Sequence, residues 1–430
     1  MTTHEVHGTD EHHVATARDF LSRVQAPPLT RSVWLGEGLP DDLEDLRLAD
    51  WDGVPLAESP HVHRAIRRNT GLVGVALADG RGRVFSTGQV AARRSVAGTV
   101  AAAARVAGPL ALLAREPAHS PTRPASTPMH RLVTNAAGAA WFAGRLARAA
   151  GTYREWACAP VQTLDPGLAN LQTRGSWQSG ATHFWADPCV VDSPTGVWVF
   201  VEELDRRIGR GHILAVPVCE GRLAAEQAVC VLSNDHHLSF PQVTFVAGRW
   251  LATVETCARF NPVYTFEDPG HPWRPVADLP ALPPHTGDPV VDFATGVLIG
   301  TDARTDPDSV LMQYRIAGTQ WEPLVSAVRV DTVWSRGAGT WDRTRGWRAV
   351  QDCSGTYGRA VGLVATDPMQ APLARWAAQQ VTGRRWRGVH TLTWTPPMDQ
   401  IWIDAWRRRI SPLGWRRRLI ERSHLQNCQG

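Results

Sequence analysis

Between residues 184 and 406 short apolar runs alternate with Gly, Pro and Asp turns, and the pattern returns about every fifty residues. The runs are short and bounded by turn residues, so they predict strands. The first unit reads Ala186-Asp187-Pro188-Cys189-Val190-Val191, a turn at Ser193-Pro194-Thr195-Gly196, then Val197-Trp198-Val199-Phe200-Val201-Glu202-Glu203. The second reads Ser239-Phe240-Pro241-Gln242-Val243, a turn near Gly248, then Trp250-Leu251-Ala252-Thr253-Val254-Glu255. The third runs from Gly287-Asp288-Pro289 to Gly300-Thr301-Asp302, and a worn fourth from Gly339-Thr340-Trp341 to Val350-Gln351-Asp352. The fifth runs from Val389-His390-Thr391 through Pro396-Pro397 to Ile401-Trp402-Ile403-Asp404. Pro188 to Pro241 is 53 residues and Pro241 to Pro289 is 48. Each unit has room for four strands, as in the first, where 212–218 and 228–232 are also apolar. Stacked units of this size predict a mainly β fold, a five-bladed β-propeller with a small N-terminal α/β domain. The last unit lacks outer strands, so they must come from 405–423 or from residues just before 184.

The segments before the array divide by composition. Residues 1–30 are polar and read as a disordered N-terminus, and 31–116 as a small α/β domain. Within it, Leu72 to Leu77 and Val84 to Gly88 flank Asp79-Gly80-Arg81-Gly82, a hairpin signal, and Val96 to Arg115 is Ala-rich and helix-prone. Residues 117–155 read as a linker and helix, 156–423 as the propeller and 424–430 as a C-terminal tail.

All 45 basic residues are Arg. That excludes P-loop, Schiff-base and kinase lysine chemistry. A net charge of +4 is too mild to argue for nucleic acid. The seven Cys form no C-x-x-C pair and read as small buried hydrophobes in a reducing compartment. No secretory leader and no uncharged apolar span is visible, so a cytoplasmic location is expected. The 19 Trp read first as repeated core packing and secondly as sugar-stacking platforms. The Arg-rich tail, Trp406 to Arg409 and Trp415 to Arg418, reads as a solvated closing element or as a contact to an anionic membrane surface.

In a propeller the inner strands line a channel, so matching positions of different units converge. Two polar rings result. One lies at the inner-strand starts, with Asp187, His237, Asp288 and His390. The other closes the second strands, with Glu203, Glu255, Asp302, Asp352 and Asp404, taken at a constant offset from the leading Trp in three units. Facing carboxylates are costly unless paired or protonated. They suit glycosidic acid–base chemistry, and equally a divalent cation held by oxygen ligands. The plain alternative is pairing with Arg from neighbouring units.

Ala186-Asp187-Pro188, Val201-Glu202-Glu203, Gly211-His212-Ile213, His237 to Pro241, Val254-Glu255-Thr256, Trp273 and Gln351-Asp352-Cys353 together resemble the N-terminal, propeller-like domain of glucosamine inositolphosphorylceramide transferases. That domain is distantly similar to five-bladed arabinanase and fructosidase enzymes. Residues 45–115 resemble the second half of a formyltransferase-like segment, with the formyl-donor part missing, so no formyl transfer is expected. The resemblance implies Asp187 as catalytic base or nucleophile, Asp288 as an orienting second acid, and His390 as support for a channel metal. The arabinanase-like acid is a Glu of the fourth blade, where this chain has Gly337, Gly339 and Trp341. Glu255 is the remaining acid candidate. Glu203, His237, Arg259, Asp302, Gln351, Asp352 and Tyr357 are candidate substrate contacts. The expected partner is a sugar or sugar phosphate in the central channel. Two activities stay open: glycosidase or glycosyl-transfer-like chemistry, and a non-catalytic carbohydrate-binding or scaffold module serving a glycosyltransferase or biosynthetic pathway.

Overall fold

The computed structural model of the chain describes residues 47–119 and 152–410, less 107–109, 111–117, 163–170 and shorter loop segments such as 257–259, 304–305 and 367–371. The expected disordered start, most of the expected linker and helix (120–151) and the Arg-rich tail beyond 410 lie outside the described residues.

The chain is mainly β. Its first unit is a four-stranded sheet in the order Arg47–Ala49, Leu72–Ala78, Arg83–Ala91, Ala118–His119. Helices Pro60–Arg68 and Val96–Ala104 pack on it. The second helix starts where Ser95 Oγ accepts from the Gly98 N–H at 3.0 Å, an ordinary N-cap. Val75, Leu77, Phe85 and Val90 share one continuous apolar core with Val310, Met312, Val328 and Val330 of the array. Thr332 Oγ1 donates to the Gln89 carbonyl at 3.1 Å beside a Gln89–Asp331 bridge. The small unit is therefore cemented to the third sheet of the array.

Four sheets follow, the last of eight strands, in which one parallel bridge joins two antiparallel halves; the strands thus group into five antiparallel units, called the first to fifth sheets below. Their inner strands are Phe184–Ser193, Ser239–Val246, Thr286–Asp292, Gly337–Asp342 and Leu392–Trp394. The second strands are Gly196–Asp205, Arg249–Glu255, Val297–Asp302, Trp347–Asp352 and Ile401–Ile410. Inner strands touch in cyclic order, the fifth returning to the first, and a parallel bridge joins Gly339 to Leu392. The fifth sheet takes its outer strands from before the array: Ile401–Ile410 pairs with Thr152–Gln162 from Trp402↔Pro160 to Ile410↔Thr152. At this seam Trp402, Trp185 and Cys158 are fully enclosed in one cluster, so the closure is held by apolar burial as well as by the ladder. Nine of the 16 tryptophans among the described residues are buried in the core, in line with the plainer sequence reading. The cysteines depart from expectation in part: Cys158, Cys189 and Cys353 are buried, while Cys219 and Cys230 are exposed.

The inner strands carry a repeated distortion. Pairing slips between Ala186 and Cys189, between Ser239 and Gln242, and between Gly287 and Val290. The residue before each proline sits at positive φ: Asp187 at 51°, Phe240 at 49° and Asp288 at 44°. A β-bulge supplies the extra residue. A residue preceding proline ordinarily avoids this region, and each such position costs about 1–3 kcal/mol. Carboxylates of the preceding sheet compensate by capturing the displaced N–H. The Asp187 N–H donates to Asp404 Oδ2 at 2.9 Å, that of Phe240 to Asp187 Oδ2 at 3.1 Å, and that of Asp288 to Glu255 Oε2 at 3.0 Å.

Candidate active site

The bulges aim Asp187 and Asp288 inward at the start of their strands. Both are under a tenth exposed. Asp187 Oδ1 accepts from Thr391 Oγ1 at 2.9 Å and lies 3.1 Å from His390 Nε2. The other ring nitrogen, Nδ1, is 2.6 Å from Asp404 Oδ2. Asp404 is fully buried and also accepts the backbone N–H groups of His390 and Thr391 at 3.2 and 2.9 Å. Burial opposes charge on His390, yet Asp404 and Asp187 on either side hold its pKa above the usual value. The imidazolium form is thus the one this pocket favours. Trp156, from the closing strand, lies against the ring at 4.2 Å, and Tyr357 meets it edge-on at 5.2 Å.

Asp288 anchors the other half. Arg336 Nε and Gln351 Nε2 both donate to its Oδ2, at 2.5 and 3.0 Å. Arg336 also reaches Asp308 at 3.2 Å and lies over the Tyr357 ring at 5.0 Å. Where a fourth-unit Glu was sought in the sequence, the structure presents this buried cation. Burial pushes the Asp288 carboxyl well up, Arg336 pulls it down, and hydrogen-bonded Glu255 raises it again. Asp187 is likewise pushed up by burial, against His390.

Glu202 escaped the sequence reading. Ala186↔Glu202 and Ser239↔Glu255 are equivalent pairs, and Gly287↔Thr301 is their counterpart in the third sheet. Glu202 and Thr301, rather than Glu203 and Asp302, therefore occupy the inward places. The offset from tryptophan misled because Trp198 pairs with Val191 whereas Trp250 pairs with Phe245, one step further along. Counting six residues from the ends of the matching two-residue turns, Gly196 to Glu202 and Arg249 to Glu255, finds the right pair. A one-residue slip exchanges the faces of a strand. Glu202 is buried and hydrogen-bonded to Asp187, and burial followed by the Asp187 charge pushes its pKa well up. Two carboxyl pairs, Asp187–Glu202 and Asp288–Glu255, consequently sit in electrostatic reach of each other.

The other sequence candidates scatter. His237 is not a bulge residue; that place belongs to Phe240. His237 Nδ1 accepts from the Gly211 N–H at 2.9 Å, and its Nε2 lies 3.6 Å from Glu202. Glu203 faces away from the channel, bound by Trp185 Nε1 at 2.8 Å, His212 at 3.0 Å and His183 at 3.2 Å. Although burial opposes its charge, the His212 and Trp185 hydrogen bonds keep it below the usual carboxylate range. Asp302 ends its strand opposite Thr286. Asp352 is buried, but it is bound by Arg375 of its own sheet and by the Ser354 N–H, a structural role. Arg259 lies outside the described residues. Gln351 and Tyr357 do reach the cluster. Asp187, His390 and Asp404 bring three potential ligand atoms within 4.8 Å of one another, all buried. A cation there competes with the proton that His390 holds between the two carboxylates.

No protein-family model matches the chain, and no curated protein matches it. Among solved structures it is similar to an α-L-arabinofuranosidase from Podospora anserina in complex with cellotriose, at 11% identity over 59% of this chain and 97% of that one, with a TM-score of 0.37. A GH43_1 enzyme from Xanthomonas citri complexed with xylose matches at 9% identity over 59% and 90%, TM-score 0.33. A family 117 glycoside hydrolase from Zobellia galactanivorans matches at 10% over 60% and 91%, TM-score 0.29. Similarity this low assigns no residue a role. Among the described residues no helix is long and apolar enough to cross a membrane.

Proposed function

We propose that the chain is a carbohydrate-active, five-bladed propeller that takes a sugar or sugar phosphate against the acid cluster at the inner-strand starts. One observation carries this reading: buried Asp187 and Asp288, each held at a strained bulge near His390, are each paired with a second-strand carboxyl, Glu202 and Glu255. Acids whose environments pull their protonation apart are the equipment of glycosidic acid–base work. Asp187, fixed by Thr391 and His390, is the base or nucleophile. Asp288 has both donors, Arg336 and Gln351, on one oxygen, and they work against the upward push that burial gives its carboxyl. Glu255 is partly exposed and is the proton donor of the pair. Asp288 orients it. Tyr357 and Trp156 offer ring faces beside the cluster.

A binding module with the same channel is the second reading, in line with the resemblance to a transferase-associated domain. It is favoured by the fourth sheet, which contributes Arg336 where an acid would complete a hydrolase. Calorimetric titration with arabinose, xylose and inositol phosphate, together with hydrolysis assays on nitrophenyl pentosides, separates the two. Binding at the acid cluster with turnover, both abolished in Asp187→Asn, supports the enzyme. Binding without turnover supports the module. Absence of any sugar response in the wild type overturns both.

A further inference from the structure

The inner strands have a second end, five residues of strand or about 16 Å from the acid cluster. There the strands run into their hairpin turns around a cavity of ≈ 550 Å³. The volume falls within the range of about 300–1,000 Å³ typical of small-molecule sites. Its walls differ in kind from the acid end. Phe245, Trp250, Trp341 and Trp394 line it from three sheets, and Phe245 is 58% exposed. Phe245 and Trp250 lie 5.1 Å apart with tilted rings, a corner of two aromatic faces.

The charges at this mouth are largely neutralised within the protein. Arg343 is paired with Asp292 at 2.5 Å and lies over the Trp341 ring at 5.4 Å. Asp342 holds Arg345 at 2.8 Å and accepts from Trp394 Nε1 at 3.2 Å. Two lining groups are left with their hydrogen-bonding capacity unused. Thr253 is 1% exposed and its Oγ1 has no partner; the same holds for the buried Trp341 Nε1. A buried hydroxyl and a buried indole N–H without partners cost free energy unless something enters to meet them. Aromatic faces, one unused buried donor, one unused buried hydroxyl, the exposed Asp192 carboxylate at the rim and no uncompensated cation describe a site for a neutral ring that is apolar on its face and hydroxylated on its edge.

We propose that the hairpin end of the channel is a second carbohydrate site, taking a neutral sugar ring or comparable cyclic polyol, distinct from the acid cluster. Stacking on Trp341 and Phe245 supplies the contact area, and Trp341 Nε1 and Thr253 Oγ1 bond ring hydroxyls. The site does not depend on the assignment at the other end.

The test uses the full chain with D-xylose, D-glucose and myo-inositol as probes, by calorimetry and by crystals soaked with each. Asp187→Asn is expected to leave binding at the hairpin mouth unchanged. Thr253→Val, which deletes one hydrogen bond and keeps the shape, and Trp341→Phe, which deletes one and shortens the ring, are each expected to weaken it about fivefold. Trp341→Ala is expected to weaken it about tenfold. Density for water alone in this cavity, or affinities in Thr253→Val and Trp341→Phe equal to wild type, overturns the proposal. Loss of all binding in Asp187→Asn would also overturn it while leaving the acid cluster as the sugar site.

Discussion

The first sheet carries Asp187 where the second carries Phe240, although turn length, bulge and register are the same in both. In the second sheet the position is filled by an apolar ring packed on Val290, Ile299 and Leu311. In the first it holds a carboxylate that bonds the Phe240 N–H, Thr391 and His390. The backbone feature therefore repeats for a structural reason, the capture of a strained N–H by the preceding sheet. The chemistry depends on which side chain is installed there. An acid at a bulge does two jobs, stapling neighbouring sheets and charging the channel, and variants can separate them.

The largest effect is expected at the seam, where stapling is heaviest. Asp404→Ala leaves three backbone N–H groups and His390 without their acceptor, and should lower folding stability by about 3–5 kcal/mol in equilibrium unfolding. A loss below about 1 kcal/mol, the scale of an exposed pair, would break the stapling account. Next comes Arg336→Met, which strands Asp288 and should cost about 3 kcal/mol, with most of it restored in the double variant Arg336→Met, Asp288→Leu. If the double variant is no better than the single one, the pair is not the unit that matters.

The pH dependence sharpens the same contrast. The folded pKa of His390 is raised, so its stabilisation is fully present below the ordinary histidine value near about 6.5 and is lost as pH rises through the folded value. Glu202, a carboxyl pushed up, likewise favours the protonated folded state at low pH. Unfolding curves from neutral to alkaline pH should show declining stability that flattens in His390→Gln. Glu203 carries the opposite sign: its lowered pKa gives stability present above the unfolded value and lost as pH falls through the folded one. It is also the smallest expected effect. Glu203→Gln should cost about 1 kcal/mol near neutral pH and leave any sugar response untouched, since the residue faces away from the channel.

The repeat period, the strand content and the inward Asp187, Asp288 and His390 were legible because Asp-Pro and the paired runs recur at matched distances. Glu202 was missed by one residue because tryptophan is a packing residue free to sit on either face, whereas turn length sets register. His237 was read as an inner-strand start, but the strand begins two residues later, at Ser239. Trp156 and Arg336 could not have been found this way. The first reaches the cluster only because Thr152–Gln162 closes the last sheet, and the second because a loop residue before the fourth inner strand turns inward onto Asp288.

The most direct test of the central claim is a sugar titration of wild type, Asp187→Asn and Phe240→Leu, read alongside their unfolding curves. The account predicts that Asp187→Asn loses the response at the acid end while remaining folded. It predicts that Phe240→Leu loses stability by about 1 kcal/mol and keeps the response. Equal sugar responses in Asp187→Asn and wild type at that end would show that the carboxylates there serve the fold alone.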